Sequence, residues 1–166
     1  MLKKFLVIGL TASLFLSCNK DNKVTCPYTE STFVAPSGEV TAVQNYCASA
    51  HPAAIQHSSG LFYEITAAGT GTTTASVCSN ITIKYSGYLT NGNKFDENLS
   101  GITFTLGGLI LGWQKGIPLV KKGGSINLYI PPSLGYGSQD VRNNAGVVVI
   151  PANSILVFNI QVLDVN

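Results

Sequence analysis

The stretch I-T-I-K-Y-S-G-Y-L-T-N-G-N-K-F-D, Ile81 to Asp96, decides the fold. Ile81, Ile83 and Tyr85 alternate with Thr82 and Lys84, the period of a strand with one face buried. Asn91-Gly92 is a tight-turn signal, because both residue types tolerate positive φ. The same period recurs outward from this stretch. Leu61 to Ile65 reads as a first strand, Phe104 and Leu106 as a further short one, and Ile126, Leu128 and Ile130 as another. Leu156, Phe158, Ile160 and Val162 form a last inward row, with Asn159 and Gln161 facing out. Gly112 to Val120 reads as one short helix, limited by Pro118. Gly69 to Thr74 is a turn-rich loop, and Gly123-Gly124 is a turn. An antiparallel sheet with one face to water needs cover on the other, and the helix bearing Trp113 is the candidate. The class is α+β: an antiparallel half-barrel wrapped around one short helix.

Before this region the period is lost. Ser37 is the expected cap of a helix from about Glu39 to Ala50, because a serine there accepts a bond from a free first-turn N–H. His51-Pro52 stops it, since proline disfavours helix in the residue before it. Val40, Val43 and Cys47 share its apolar face. The helix reads as a packing appendage over residues 37–58, ahead of a main domain over 59–166.

The first residues read as export chemistry. Lys3-Lys4 is a basic start, and the apolar run Phe5 to Leu16 is too short for a spanning helix, which needs about 20 residues. F-L-S-C, Phe15 to Cys18, resembles a bacterial lipoprotein cleavage site, in the looser form of the Bacteroidetes type. Residues 1–17 are then a signal peptide. Cys18 becomes an acylated N-terminus that anchors without spanning, and 18–36 holds a polar tether and the segment after it. The implied location is the cell envelope, on the outer membrane. Three further cysteines then sit in an oxidising compartment. The expected pairing is Cys26 with Cys78, leaving Cys47 free as a small buried hydrophobe. A reduced or differently paired set stays open at this level.

The net charge is +2, and only 11% of residues are charged. No basic run could track a phosphate backbone, so nucleic acid is excluded as a partner. His51 and His57 are the only histidines. They lack Cys or carboxylate neighbours at metal spacing and read as solvated loop residues. Ser125 lacks the Gly-x-Ser-x-Gly elbow, and Gly107-Gly108 lacks the Lys-Ser/Thr that would cradle phosphate. Asp96 and Glu97 are adjacent, so on a strand they face opposite ways, a poor acid–base pair. Hydrolase, kinase and metalloenzyme readings fail, and no cofactor or metal is expected.

Four blocks remain: Ile81 to Asp96, Leu106 to Gly124 (L-G-G-L-I-L-G-W-Q-K-G-I-P-L-V-K-K-G-G), Ile130 to Gly137 (I-P-P-S-L-G-Y-G) and Val149 to Leu163 (V-I-P-A-N-S-I-L-V-F-N-I-Q-V-L). Together they resemble the FKBP-type peptidyl-prolyl cis-trans isomerases. The resemblance implies the FKBP half-barrel and an aromatic pocket in which Tyr85, Phe95, Asp96, Trp113, Tyr136 and Phe158 act on a prolyl peptide. It places Ile102, Phe104, Leu109, Ile110, Val149 and Ile150 on the substrate-binding wall. The Ile110 N–H and the Tyr136 hydroxyl are the implied donors to bound carbonyls. The implied partners are unfolded or exported polypeptides containing proline, with macrolide inhibitors as further ligands and a monomeric chain.

Departures from the family pattern bear on specificity. Ile102 stands where the family has a second wall phenylalanine, which would thin that wall. Gly108 stands where a larger polar residue is common, and the segment from Gly137 to Val149 is longer, with Asn143 to Gly146 as its turn. Two alternatives follow: a peptide-binding or chaperone module with little catalysis, or an accessory subunit of an envelope complex.

Overall fold

The computed structural model describes residues 26–166. The expected signal peptide, the expected acylation site Cys18 and the expected tether up to residue 25 lie outside the described residues. Helix α1 spans Ser37–Ala50. It is followed by β1 (Ile55–Gln56), β2 (Phe62–Ala67), β3 (Asn80–Leu89), β4 (Lys94–Thr105), helix α2 (Leu111–Gly116), β5 (Ser125–Ile130), β6 (Val141–Arg142), β7 (Val148–Ile150) and β8 (Leu156–Val165). Six strands form one sheet in the order β1-β2-β5-β8-β3-β4, with every neighbouring pair antiparallel. A separate two-stranded ribbon joins β6 and β7. The mixed α+β class with an antiparallel sheet and a short helix is as the period of the sequence required.

Alternation sets the inner face. Ile126, Ile160 and Tyr85 lie in register across β5, β8 and β3, and Leu128, Phe158 and Gly87 form the next row. These rows bury Ile81, Ile83, Ile126, Leu128, Ile130, Ile160 and Val162 under α2. Helix and sheet come close because the helix offers no side chain at two positions. A Cβ on Gly112 would lie 2.5 Å from Ile130 Cγ2, and one on Gly116 would lie 2.5 Å from Leu128 Cδ2.

Three boundaries differ from the sequence expectation. Ser37 is not the cap of α1. It is the first helical residue, and Pro36 holds the cap position without a side-chain bond. The first-turn Glu39 carboxylate is instead spent on the backbone N–H of Ser133, at 2.8 Å. The expected helix Gly112 to Val120 is split into α2 and a 3-10 turn, Ile117–Leu119. Pro118 has no N–H to continue the α ladder, so the chain tightens there. Phe104 is not in a separate short strand. It lies in β4, 12 residues long, and Leu106 has already turned into a 3-10 segment, Leu106–Gly108.

The outer face is also partly covered, contrary to a sheet with one face in water. Phe62, Tyr129, Val157 and Tyr88 form a row across β2, β5, β8 and β3. Val43 and Cys47 of α1 pack on this row in a second core cluster. His51 belongs to this side, and both histidines are half-buried rather than solvated. The His51 ring lies 4.5 Å from the Tyr129 ring and 3.3 Å, Nε2 to Oη, from Tyr46. His57 Nδ1 lies 2.9 Å from the hydroxyl of buried Ser59.

A disulfide joins Cys26 to Cys78, and Cys47 is free and buried. Burial pushes the Cys47 thiol from its ordinary 9.0 up to about 11. Burial first, and then the nearby Glu64 charge, raises the Tyr129 phenol well above its ordinary value. Both groups stay neutral in the fold at pH values where the unfolded chain ionises. Their stabilising contribution is whole below the unfolded pKa and is lost as pH rises. Urea midpoints should therefore fall from about pH 9 upward. Cys47→Ala should flatten the part of that fall between 9.0 and about 11. A midpoint constant to pH 11 would show that neither group is buried as described.

Among the described residues no helix is long and apolar enough to cross a membrane.

Candidate active site

The inner face opens at one end into a cavity of about 430 Å³. Four elements supply its aromatic wall. β3 brings Tyr85, β4 brings Phe95, α2 brings Trp113 and β8 brings Phe158. The rings meet edge to face. Trp113 lies 5.0 Å from Phe158 at 84° and 5.1 Å from Tyr85 at 74°, and Phe95 lies 5.4 Å from Phe158 at 86°. Such pairs add about 0.5–1.5 kcal/mol each beyond their buried area and fix ring orientation. Trp113 is 5% exposed, and its indole N–H has no hydrogen-bond partner among the described residues. Trp113 thus lines the cavity with its N–H unpaired.

Polar groups stand at the edge. Tyr85 Oη donates to Asp96 Oδ2 at 2.7 Å, which orients the carboxylate. Burial, that hydrogen bond and the Asp96 charge raise the Tyr85 phenol far above its ordinary value, so it stays a donor. Tyr136 is 42% exposed on the rim. Burial and then Asp96 raise its pKa, and its hydroxyl also stays protonated. Ile110 precedes α2, and its carbonyl accepts from Trp113 and Gln114. Its N–H has no acceptor among the described residues, on a residue that lines the cavity.

Of the residues singled out in sequence, Tyr85, Phe95, Asp96, Phe104, Leu109, Ile110, Trp113, Tyr136, Val149, Ile150 and Phe158 all line this one cavity. Ile102 does not. It pairs with Ile83 and packs against the main core, two residues along β4 from Phe104 on the same face. The placement of Ile102 on the lining is thus corrected, because that side chain packs on the core; the wall has no side chain from this position. The lengthened segment after Gly137 is a hairpin. Asn143 Oδ1 caps its turn by accepting from Ala145 and Val147 N–H, and Gly146 has φ of 77°. The hairpin adds Val141 to the lining, together with Val149 and Ile150.

Two contributors escaped the sequence reading. Gln114 Nε2 donates to the carbonyls of Leu109, at 2.7 Å, and Gly107, at 3.1 Å, and so staples the loop before α2. Gly87 is the other. A Cβ there would lie 2.7 Å from ring carbons of both Phe158 and Phe95. The two rings meet because this residue has no side chain. Neither role carries a local signal, since each depends on what folds against it. Gly87→Ala should cost about 1–3 kcal/mol of stability through overpacking. It should also shift the ring-proton resonances of Phe95 and Phe158, read by NMR. Unchanged spectra would show that the rings do not meet over Gly87.

A family model for FKBP-type peptidyl-prolyl cis-trans isomerase matches residues 71–163. The chain is 46% identical over 111 residues to an FKBP-type peptidyl-prolyl cis-trans isomerase, FkpA, of Buchnera aphidicola, covering 65% of this chain and 42% of that one. The chain thus spans about two fifths of the length of the curated relatives it matches. Among solved structures it is similar to FkpA from Escherichia coli, with a TM-score of 0.65 and 34% identity over 78% of this chain and 58% of that one. It is also similar to AtFKBP13, with a TM-score of 0.61 and 32% identity over 67% of this chain and 97% of that one.

Proposed function

The chain belongs to the FKBP-type peptidyl-prolyl cis-trans isomerase family, and from that premise we propose that it catalyses cis-trans isomerisation of prolyl peptide bonds in exported polypeptides. The observation that carries the reading is the edge-to-face box of Tyr85, Phe95, Trp113 and Phe158, open at the top and rimmed by oriented donors. A peptide bond resists rotation because of its partial double-bond character, with a barrier of roughly 18–20 kcal/mol. Twisting localises the nitrogen lone pair and lowers the dipole of the amide. Water favours the planar, more dipolar form, so an apolar cavity lowers the relative cost of the twisted one. A proline ring on the Trp113 face, with flanking carbonyls on the Ile110 N–H and Tyr136 hydroxyl, would be gripped best when twisted. No proton transfer is needed, and a Tyr85–Asp96 pair that only orients groups suits that demand.

The reading extends to an exported protein held at the outer membrane by acylated Cys18 and helping newly translocated chains past slow prolyl steps. The Cys26–Cys78 disulfide supports an oxidising compartment. The chain would act as a monomer, and macrolides would compete for the same cavity. The alternative of a binding module with little catalysis would draw on the absence of a side chain from position 102 in the wall and on the longer segment after Gly137. The test is an exchange assay by NMR on proline-containing tetrapeptides, with wild type beside Phe95→Ala and Asp96→Val. Wild type should accelerate exchange and both variants should be slower. Equal rates in all three would overturn the pocket assignment. Lipid labelling lost in Cys18→Ser would support the anchor, and labelling retained would remove it.

A further inference from the structure

The loop from Gly107 to Ile110 carries three lining residues, Gly108, Leu109 and Ile110, yet lies in no strand or α-helix. Three groups hold it. The Gly107 N–H donates to the Val77 carbonyl at 2.8 Å. The Gln114 amide takes the Gly107 and Leu109 carbonyls. The third group is the ring of Tyr28, from a segment otherwise remote in sequence.

Tyr28 lies against bare backbone. A Cβ on Gly107 would meet Tyr28 Cγ, would lie 2.6 Å from Tyr28 Cβ and would lie 2.7 Å from the Val77 carbonyl. A Cβ on Gly108 would lie 3.3 Å from Tyr28 Oη. The ring takes the place that a side chain on this loop would occupy. Two covalent neighbours make the contact more than incidental. Tyr28 follows Cys26 by two residues, Val77 directly precedes Cys78, and Cys26 is bonded to Cys78. The disulfide thus joins the two segments that contact Gly107. Further along, the Ser31 carbonyl accepts from Lys115 Nζ on α2, and Ala35 N–H donates to the Ser59 carbonyl at 2.9 Å.

We propose that Tyr28 is a positioning residue of the active site: its ring clamps the Gly107–Gly108 backbone from outside and holds Leu109 and Ile110 in the cavity wall. Through it the segment from Cys26 to Ala35 becomes part of the machinery without touching substrate. The activity arm of the proposal rests on the isomerase reading above. Tyr28 is 37% exposed and lies outside both core clusters, so removing its ring spares the sheet. Its hydroxyl has no hydrogen-bond partner among the described residues. The clamp therefore needs the ring and not the Oη.

The test compares wild type with Tyr28→Ala and Tyr28→Phe. In Tyr28→Ala the hydrogen-bonded amides of Gly107 and Leu109 should exchange with solvent about tenfold faster, while those of β5 and β8 keep wild-type rates. A general loss of stability would speed both sets together. kcat/KM on a proline tetrapeptide should fall about tenfold, and emission from Trp113, the only tryptophan, should shift. Tyr28→Phe should restore all three. Wild-type exchange at Gly107 and Leu109 in Tyr28→Ala would overturn the clamp. So would uniform acceleration of both sets, or a Tyr28→Phe chain as impaired as the alanine variant. Faster loop exchange with wild-type kcat/KM would overturn its part in the reaction. If wild type itself does not isomerise, the isomerase reading fails, and the exchange arm still decides the clamp.

Discussion

Trp113→Ala should leave the protein about 3–5 kcal/mol less stable, the usual cost of removing a buried tryptophan, and should reduce kcat/KM on proline peptides about a hundredfold. The indole is 5% exposed and touches the rings of Tyr85 and Phe158 edge to face. Its loss forfeits two such contacts and the floor on which a prolyl ring would lie. Those ring pairs count toward stability, whereas the rate depends on what the floor contributes to holding the twisted prolyl bond; a hundredfold loss corresponds to ~2.7 kcal/mol of transition-state stabilisation. Tyr85 would also lose the ring that fixes its tilt, and with it the aim of Asp96, which Tyr85 holds at 2.7 Å. Unfolding should be followed by far-UV circular dichroism, because the variant has no tryptophan left to report. Trp113→Phe, which keeps an aromatic face, should recover most of the stability and part of the rate. A folded Trp113→Ala chain with wild-type kcat/KM would remove Trp113 from the mechanism.

The second large effect concerns the crosslink. Cys26 and Cys78 are 52 residues apart in sequence, and their Cα atoms are 5.6 Å apart in the fold. Closing a loop of that length in the unfolded chain stabilises the native state by roughly 4 kcal/mol on the chain-entropy account, at the upper end of typical values. The closed loop contains α1, β1 and β2, so the crosslink ties the outer-face cover to the half-barrel. Cys26→Ser with Cys78→Ser should therefore lower the urea midpoint strongly, and reductant should move wild type toward the same value. The double variant should not respond to reductant, since Cys47 is buried and unpaired. A midpoint indifferent to both treatments would show that the bond adds nothing.

The strands were legible because burial imposes a period of two, and Ile81, Ile83 and Tyr85 display it without help from other segments. Their pairing was less so. β3 and β4 slip register between Ile83 and Tyr85 and again between Gly87 and Tyr88. These shifts help decide that Phe95 reaches the cavity wall while Ile102 stays in the core. A bulge is chosen by what both strands must pack against, so no local pattern announces it. The split of the Trp113 helix was half legible: Pro118 marked a limit, but the 3-10 turn that follows α2 is set by packing on the sheet. Tyr28 had no period around it at all, and its contact with Gly107 is made across the fold, next to the Cys26–Cys78 bond.

By itself the sequence determined the α+β class, the alternating strands, the family and eleven of the twelve residues named for the cavity, because each leaves a local trace in period or motif. Tertiary structure alone decided how three aromatic rings from three other elements come within 5.0 to 6.3 Å of the Phe158 ring. That convergence depends on strand register and on close approach at residues without a Cβ, Gly87 within the box and Gly107 beneath Tyr28. Close packing is a relation between distant segments, and a one-dimensional pattern does not encode which empty position will be filled by which ring.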